Sequence, residues 1–380
     1  MKNAIVWMVW GWCGLAAAGE PSEMLWEGTL PGKAAELPVL EGVQYVRVRE
    51  RQPDVDGFRW LHGAVLSHYR GTFYASWGCN TGHENTVGEK IAMATSQDGV
   101  HWNAPKILLP DDRDIGRSHG VFWEHQGRFW ALHAQFYGTW KKHVPFPNLG
   151  MELFLLEENG EWVSQGVVAK GIWPLQEPIR TASGDWVVAG VNDRFQACVA
   201  RSEGDDPRKW TVTNITWEKG FFSETNLWAD GDVLTLLLRN EHPQQNGRQV
   251  AGVAWSTDGG KTWSKAVESN LFMNVSKPGC RTLSNGQRLL AGFTAADAFN
   301  RNYLTLAVGS PGEKTLSHVW RLRSGGVEVP GGFPPKGFSY PAIYEWNEKI
   351  YVIYSVHDGG ANQNHIELAI FPRSAIEVVP

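Results

Sequence analysis

The 380-residue sequence contains little cysteine. Its cysteines are Cys13, Cys79, Cys198 and Cys280, and they are widely spaced. A chain of this length held together by disulfides would need many more, at regular short spacings, so a disulfide framework is excluded. Two possibilities stay open for the three that follow the N-terminal segment: one bridge with one free thiol, or three buried thiols.

The sequence also lacks an excess of positive charge. It has 35 Lys and Arg against 40 Asp and Glu, a formal net charge of −5. Proteins that bind nucleic acids rely mainly on clustered basic side chains. The charge balance therefore predicts that nucleic acid is not a partner.

Long apolar segments are absent except at the N-terminus. Residues 4–15 are apolar, and they lie between Lys2 and the small residues Ala16-Ala17-Ala18. This is the order of regions in a signal peptide. We predict that residues 1–18 are a cleaved signal peptide and that the protein is secreted or periplasmic. No later stretch approaches the roughly 20 apolar residues that a membrane helix needs, so no membrane attachment is expected after cleavage.

Common cofactor motifs are missing as well. The sequence has no His-Glu-x-x-His, no complete Gly-x-x-x-x-Gly-Lys-Ser/Thr phosphate-binding loop, and no Gly-x-Gly-x-x-Gly after a strand. These motifs bind zinc, nucleotide phosphates and dinucleotides. We therefore expect no metal ion and no organic cofactor.

What the sequence does contain is 42 glycines, 20 tryptophans and a short repeated pattern. In each copy, a turn centred on Gly or Asn precedes a strand rich in apolar residues. Such a turn needs a positive φ angle, which Gly adopts without strain and Asn tolerates, and the strand must fill a buried sheet. The turn residues of the six copies are Gly71, Gly127, Gly184, Gly231, Gly286 and Asn347.

A second repeated pattern runs in register with the first. Residues 256–263 have the form Ser-x-Asp-x-Gly-x-x-Trp, an Asp box, and residues 96–102 are a version one residue shorter; irregular copies lie at 158–162, 202–210 and 310–320. We expect the Asp carboxylate to accept hydrogen bonds from turn amides, Gly to adopt the left-handed conformation and Trp to fill the space between neighbouring sheets. The Asp boxes are therefore predicted to be structural elements.

Two repeated patterns in register predict an all-β fold. Six four-stranded units of about 55 residues can close in a ring as a six-bladed β-propeller. The strand near residues 43–48 is expected to complete the last blade. No linker or low-complexity segment divides the chain, so residues 19–380 are predicted to form this single domain, and one propeller can be stable as a monomer.

Asp boxes at this spacing, six blades and a signal peptide resemble the sialidase (neuraminidase) superfamily, from about Tyr45 to the C-terminus. The resemblance implies a glycosidase in which three arginines bind the carboxylate of the sugar. It also implies a tyrosine nucleophile with a glutamate as its base, and an aspartate as the acid/base. Guanidinium groups suit such a clamp because they form paired hydrogen bonds with a carboxylate. Fold alone does not give function, so each site residue has to match separately.

The segment from Glu224 to Arg239 matches the family well. The glutamate is followed by an apolar strand, an Asp-Gly turn and a second apolar strand that ends in the arginine, fifteen residues later. The resemblance assigns Arg239 to the carboxylate clamp and Glu224 to the base. Arg301 precedes an apolar strand that leads to the irregular Asp box at Ser310, and it matches the third arginine.

Tyr340 matches the nucleophile of the family. It lies in Phe338-Ser339-Tyr340-Pro341-Ala342-Ile343, ahead of the apolar strand that ends in Tyr354. Sialidases are an exception to the two-carboxylate rule of glycosidases. A neutral phenol suits an anomeric carbon that already bears a carboxylate, because an anionic nucleophile would be repelled there.

The first blade departs from the family pattern. Arg59 matches the first arginine, but Trp60-Leu61 follows it where the family has Ile-Pro. The loop of residues 82–90 contains no aspartate, and Glu84 is the candidate acid/base in its place. A further departure lies at the end of the last blade, where Ser355 occupies the position of a glutamate that usually braces the first arginine. These departures leave open acidic sugars other than sialic acid.

Further substrate contacts are predicted in loops that could face the central cavity, although each of these residues could instead have an ordinary structural or surface role. They are His83, His119, Arg117 and Glu177.

The sequence therefore predicts an exported glycoside hydrolase that resembles a retaining exo-sialidase and cleaves a terminal acidic sugar from a glycan. One alternative is a lyase or glycosidase of the same fold that acts on uronate- or rhamnose-containing glycans. It draws on the missing aspartate and the loop histidines, because a lyase needs an arginine to neutralise a uronate and a His or Tyr to move a proton. Another alternative is a propeller that binds glycans without catalysis.

Overall fold

The computed structural model describes residues 23–109, 114–139, 141, 144–242, 249–297, 301–326, 336–358 and 363–378. Within these ranges, six antiparallel sheets are arranged as the blades of a propeller. Neighbouring blades contact one another in turn, and the inner strand of the last blade contacts that of the first, which closes the ring. The predicted all-β, six-bladed architecture is confirmed.

The blades follow one another along the chain. They contain β2 (Trp60–Tyr69), β3 (Thr72–Asn80), β4 (Lys90–Ser96) and β5 (Lys106–Ile107); β6 (Ile115–His125), β7 (Arg128–Tyr137), β8 (Gly150–Leu156) and β9 (Trp162–Lys170); β10 (Trp173–Pro174), β11 (Ile179–Arg180), β12 (Trp186–Val191), β13 (Ala197–Ser202) and β14 (Trp210–Asn214); β15 (Phe222–Asp230), β16 (Val233–Asn240), β17 (Val250–Ser256) and β18 (Val267–Phe272); β19 (Gly279–Thr282), β20 (Arg288–Gly292), β21 (Tyr303–Val308) and β22 (His318–Ser324); and β23 (Gly337–Trp346), β24 (Lys349–His357), β25 (Asn364–Pro372) and β1 (Gln44–Arg49). In the third blade, the inner strand is split into β10 and β11. Short helices are Ala34–Glu36, Pro53–Asp56 and Arg373–Ile376.

Both ends of the chain contribute to blade 6. β1 pairs antiparallel with β25, and Gln44 lies opposite Ile370. The predicted strand near residues 43–48 therefore completes the last blade. The chain passes from β1, which is hydrogen-bonded within blade 6, to β2 of blade 1, so this pairing closes the ring.

The six repeated turns all join an innermost strand to the second strand of its blade. Their Gly residues and Asn347 adopt positive φ angles. In the Asp box of blade 4, Asp258 Oδ1 accepts hydrogen bonds from the amides of Lys261 and Thr262, and Trp263 Nε1 donates to Gly260 O. Burial alone would raise the pKa of Asp258, but the hydrogen bonds from Thr262, Ser256 and Lys261 lower it to about 2. The predicted structural role of the Asp box is confirmed.

A buried charged network links blades 5 and 6. Arg323 Nε donates to Glu367 Oε1 at 2.8 Å, and both side chains are about 2% exposed or less. Tyr354 also donates to Glu367 Oε1, at 2.6 Å, and Arg47 of β1 lies 3.9 Å from Glu367 Oε2. The network therefore joins the closing strand β1 to the rest of blade 6 and to blade 5.

The N-terminal segment packs against blades 4 and 5, which the sequence did not indicate. Leu25 and Trp26 are buried, and the side chain of Asn270 accepts hydrogen bonds from both of their amides. Trp26 forms an isolated parallel bridge with Leu316, and Val39 forms another with Arg321. The segment thus covers part of the outer edge of the ring.

Cys79, Cys198 and Cys280 are free and buried, so the structure selects three buried thiols from the two possibilities. No helix among the described residues is long and apolar enough to cross a membrane. The predicted signal peptide, residues 1–18, lies outside the described residues, and the assignment of residues 19–380 to one domain stays a prediction.

Candidate active site

Irregularities in four inner strands bring functional side chains to the ring centre. The pairing registers of β2, β6, β15 and β23 with their neighbours shift at His62/Val65, Arg117/Gly120, Phe222/Thr225 and Ser339/Ala342. β-Bulges bend a strand and redirect its side chains, and they are common next to active sites. The residues within these shifts include His119, Glu224 and Tyr340.

Tyr340, Glu224 and Arg239 form one hydrogen-bonded group. The Tyr340 hydroxyl donates to Glu224 Oε1, and Arg239 Nη1 donates to Glu224 Oε2 at 2.6 Å. Arg239 Nη1 also lies 3.4 Å from the Tyr340 oxygen. The structure therefore brings the predicted nucleophile, its base and one clamp arginine together from blades 4 and 6.

The backbone of Tyr340 is held in an unusual conformation. Its φ angle is +53°, which is rare for a bulky side chain and is found where the surrounding structure enforces it. Burial and the Glu224 carboxylate raise the pKa of Tyr340 well above its usual value, while Arg239 opposes them. The phenol is therefore neutral in the resting protein, with a carboxylate placed to accept its proton.

Arg239 carries a second carboxylate partner that the sequence analysis missed. Its Nε lies 2.9 Å from Glu241 Oε1. Burial alone would lower the pKa of Arg239, but Glu224, Tyr340 and Glu241 together raise it. Alternation along a strand places residues 239 and 241 on one face, so this signal was available in the sequence.

Arg301 and Glu84 approach the same group from two other blades. Arg301 Nη2 donates to Val275 O at 2.5 Å. Burial lowers the pKa of Arg301, and Tyr340, Arg239, Glu224 and Glu84 all act on it electrostatically. Glu84 lines the central cavity. Glu84 is solvent-exposed, and partial desolvation together with the charge of Glu224 raises its pKa, which favours a protonated form.

A cavity of about 630 Å³ opens above these groups. This volume can accommodate a monosaccharide with part of a leaving group. Its polar lining includes Glu84, Glu224, Arg239, Glu241 and Tyr340, and its apolar lining includes Trp173, Phe195 and Phe221.

Two histidines flank Tyr340. The ring centroid of His62 lies 4.0 Å from that of Tyr340, and His119 lies 5.9 Å away. Burial lowers the pKa of both histidines well below the usual value, and Lys277 contributes to each shift. His119 Nε2 is buried without a hydrogen-bond partner among the described residues. His119 was predicted as a contact and does line the cavity, and its imidazole is neutral.

Other predicted contacts lie elsewhere. Arg59 is exposed and is not part of the cavity lining, nor is His83, which is exposed on the Glu84 loop. Arg117 Nε donates to Glu152 Oε2 at 2.8 Å. Glu177 pairs with Arg281 at 2.5 Å and lines a separate cavity of about 340 Å³, formed by the later residues of the inner strands. The structure thus gathers six predicted residues near the ring centre: Tyr340, Glu224, Glu84, Arg239, Arg301 and His119.

A family model described as a BNR repeat-like domain matches residues 71–352. The chain belongs to the BNR repeat-like family. A search of curated proteins by sequence found no significant match.

Solved structures show where else this BNR repeat-like fold occurs. An intramolecular trans-sialidase from Ruminococcus gnavus, in complex with oseltamivir carboxylate, is 13% identical with a TM-score of 0.65; the match covers 84% of this chain and 96% of that one. A Trypanosoma rangeli sialidase in complex with the inhibitor DANA is 13% identical with a TM-score of 0.63, covering 88% of this chain and 60% of that one. A protein of unknown function from Dyadobacter fermentans is 14% identical with a TM-score of 0.65; the match covers 87% of this chain and 99% of that one. The predicted BNR-repeat family is confirmed, and the predicted six-bladed fold is one that these sialidase structures share.

The BNR repeat-like propeller carries one more buried carboxyl group that the sequence did not indicate. Glu89 is 2% exposed and accepts a hydrogen bond from the amide of Asn85 at 2.8 Å. Burial raises the pKa of Glu89 to about 8. The group lies beneath the loop that carries Glu84, so it supports that loop as a neutral acid.

No group of three or more His, Cys, Asp or Glu side chains that could hold a metal occurs in the part of the chain that the structure describes. The expectation that no metal or cofactor is required stays a prediction.

Proposed function

We propose that this protein is an exported glycoside hydrolase that removes a terminal acidic sugar from a glycan, with Tyr340 as nucleophile. The observation that carries the proposal is the hydrogen bond from the Tyr340 phenol to Glu224, with Arg239 bound to the same carboxylate. A phenol whose pKa is raised reacts only if a base takes its proton during attack, and Glu224 is placed to do so.

Binding of the acidic sugar is assigned to Arg239 and Arg301. Both guanidinium groups lie near Tyr340, and Arg301 forms no ion pair with a carboxylate among the described residues. A substrate carboxylate would supply that partner, and a forked cation in a site with little water binds a carboxylate strongly.

Proton transfer to the leaving oxygen is assigned to Glu84. Its raised pKa keeps a larger fraction protonated near neutral pH, as a general acid requires. After departure of the leaving group, the resulting carboxylate can activate water for the second step.

The first test is incubation of the purified protein with a fluorogenic α-sialoside, with Tyr340→Phe and Tyr344→Phe in parallel. Tyr344 lies on the same strand but outside the cavity lining, so Tyr344→Phe is the matched control. Fluorophore release that is lost in Tyr340→Phe and kept in Tyr344→Phe supports the proposal. Release that persists in Tyr340→Phe contradicts the assigned nucleophile.

A second candidate function is eliminative cleavage of a uronate-containing glycan. The observation that favours it is the pair of buried neutral histidines beside Tyr340. A neutral imidazole can remove the proton next to the carboxylate while a phenol protonates the leaving oxygen. Elimination produces an unsaturated sugar that absorbs in the near ultraviolet, and hydrolysis does not, so absorbance during digestion of acidic polysaccharides separates the two reactions.

A further inference from the structure

A buried lysine lies close to the candidate nucleophile. Lys277 belongs to the connection between β18 and β19, and it is 3% exposed. Its Nζ donates to the carbonyl oxygen of Pro341 at 3.3 Å and lies 5.8 Å from the centroid of the Tyr340 ring. Lys277 is not part of the cavity lining.

A buried ammonium group is costly unless it is paired with a counter-charge and hydrogen-bonded. The described residues give Lys277 a carbonyl partner but no carboxylate in an ion pair. The largest favourable electrostatic contribution to its charge comes from Glu224, which is already bound by Arg239. An apolar side chain of similar length would avoid this cost, so stability alone does not account for a lysine here.

The carbonyl that Lys277 binds belongs to the bulge that carries Tyr340. Tyr340 and Pro341 are the two residues between Ser339 and Ala342, where the pairing of β23 with β24 shifts register. Pro341 has no amide hydrogen, and Tyr340 has a positive φ angle. A donor on the Pro341 carbonyl therefore helps to hold a backbone conformation that tyrosine rarely adopts.

The charge of Lys277 has a second effect. When the phenol loses its proton, negative charge develops on Tyr340, and a nearby cation in a dry site stabilises it. Arg239 is balanced by Glu224 and Glu241, whereas Lys277 is not neutralised by an ion-pair partner in the described part of the chain.

We propose that Lys277 is a positioning residue for Tyr340: its ammonium group holds the Pro341 carbonyl, and its charge stabilises the phenolate as Glu224 takes the phenol proton. The proposal rests on the proposed function for its catalytic consequence. The proton that leaves the Tyr340 oxygen stays on Glu224, and no other group is changed in this step.

This role links activity to pH. Burial lowers the pKa of Lys277 to about 8, although the Glu224 carboxylate opposes the shift. The ammonium is therefore present below about pH 8 and lost above it, so phenolate stabilisation falls as pH rises through this value. The titratable or charged groups around Lys277 and Tyr340 are His62, Glu84, His119, Glu224, Arg239, Cys280, Arg301 and His357.

Five of these groups have pKa values shifted away from pH 8, whereas the raised pKa of Glu84 makes its titration part of the same pH comparison. The pKa values of His62 and His119 are far below the usual value and that of His357 is about 4, whereas those of Cys280 and Tyr340 are raised well above theirs. Glu89, further away beneath the Glu84 loop, has a pKa of about 8 and needs a control of its own.

The activity test compares Lys277→Met, Lys277→Arg and Glu89→Gln across pH 6 to 10. We expect Lys277→Met to lower kcat by about 100-fold with little change in KM and to lack the decline near pH 8, because the lost interaction acts in the transition state. Lys277→Arg should restore part of kcat and shift the decline to higher pH. Glu89→Gln should keep the decline at its original position.

Two results would overturn the proposal: wild-type kcat and pH profile in Lys277→Met, or a decline that disappears in Glu89→Gln. Thermal unfolding of Lys277→Met separates a positioning role from a structural one. A Tm at or above that of the wild type, together with the low kcat, is the expected combination.

A measurement without substrate distinguishes failure of this proposal from failure of the proposed function. In protein labelled with ¹³C-lysine, the Cε signal that is missing from Lys277→Met reports the titration of Lys277. We expect a midpoint near pH 8 in the wild type and a lower midpoint in Glu224→Gln, since the carboxylate no longer favours the ammonium. A midpoint unchanged by Glu224→Gln would overturn the electrostatic coupling even if the sugar is cleaved.

Discussion

The phenol of Tyr340 in blade 6 donates a hydrogen bond to the carboxylate of Glu224 in blade 4. Blade 5 lies between these two blades in the chain, so the contact exists only because the ring brings their inner strands to a common centre. The same carboxylate accepts a hydrogen bond from Arg239. The Glu224 carboxylate can therefore accept the phenol proton while Arg239 holds it in place.

This arrangement predicts strong coupling between Tyr340 and Glu224. Tyr340→Phe removes the attacking oxygen, and Glu224→Gln removes its base, so each should lower kcat by about 100-fold or more. The double variant should be little worse than Tyr340→Phe, because residues that act as a unit are not additive. Steady-state kinetics of the four proteins check this. Additive losses would show that Glu224 acts independently of Tyr340.

The two arginines near Tyr340, Arg239 and Arg301, should differ in their effects on stability. Arg301→Ala should lower kcat/KM by about 100-fold with a small loss of stability, since a charged hydrogen bond to substrate is lost. Arg239→Ala should lower both kcat/KM and the free energy of unfolding, because it removes the cation bound to the buried Glu224 carboxylate.

Steady-state kinetics and urea unfolding of each variant measure kcat/KM and stability separately. Arg59→Ala is the comparison for an exposed arginine, and its effect should be smaller than that of Arg301→Ala. A larger effect at Arg59 would return it to the clamp that the resemblance implies.

The Asp box predicts a stability effect without an activity effect. Asp258→Ala removes hydrogen bonds to the amides of Lys261 and Thr262 and to the Thr262 hydroxyl, which should cost about 1 to 3 kcal/mol of unfolding free energy. The neighbouring Thr257 is exposed, so Thr257→Ala is the matched control. Urea unfolding and kcat measure both quantities. A loss of kcat in folded Asp258→Ala would contradict a purely structural role.

The network around Glu367 predicts a large loss of stability at the closing blade. Glu367→Gln removes the carboxylate charge that pairs with the buried Arg323, which should cost about 3 to 5 kcal/mol. Tyr354→Phe removes only one hydrogen bond to the same carboxylate and should cost about 1 kcal/mol. Equilibrium unfolding in urea compares the two, and the reverse order of the two losses would contradict the role of the ion pair.

Glu89 predicts a pH dependence of stability. Its carboxyl group has a pKa of about 8 in the folded protein and of 4.5 as the reference value, so only the folded state holds this proton between these values. The unfolded state then binds fewer protons, and stability falls as pH rises through this window, by at most about 1.4 kcal/mol per pH unit.

Glu89→Gln should lose this dependence, whereas Glu348→Gln, at a highly exposed glutamate, should keep it. Urea unfolding at pH 5, 6, 7 and 8 gives the comparison. A wild-type pH slope in Glu89→Gln would show that the dependence comes from other groups.

The sequence by itself determined the repeat, and the repeat determined the fold. The positive-φ turns at Gly71 and its equivalents and the Asp boxes at Asp98 and Asp258 are local patterns, because a turn and its hydrogen bonds involve residues close in the chain. The pairing of Glu224 with Arg239 could also be predicted from the sequence, since one hairpin places them side by side.

Only the tertiary structure decided which side chains meet at the centre. Lys277, Glu89 and the exposed position of Arg59 have no local signal, because burial depends on what the other blades place around each residue. The bulge that turns Tyr340 towards Glu224 depends in the same way on contacts between blades. Ring closure joins segments more than 100 residues apart, and periodicity along the chain carries no information about that distance.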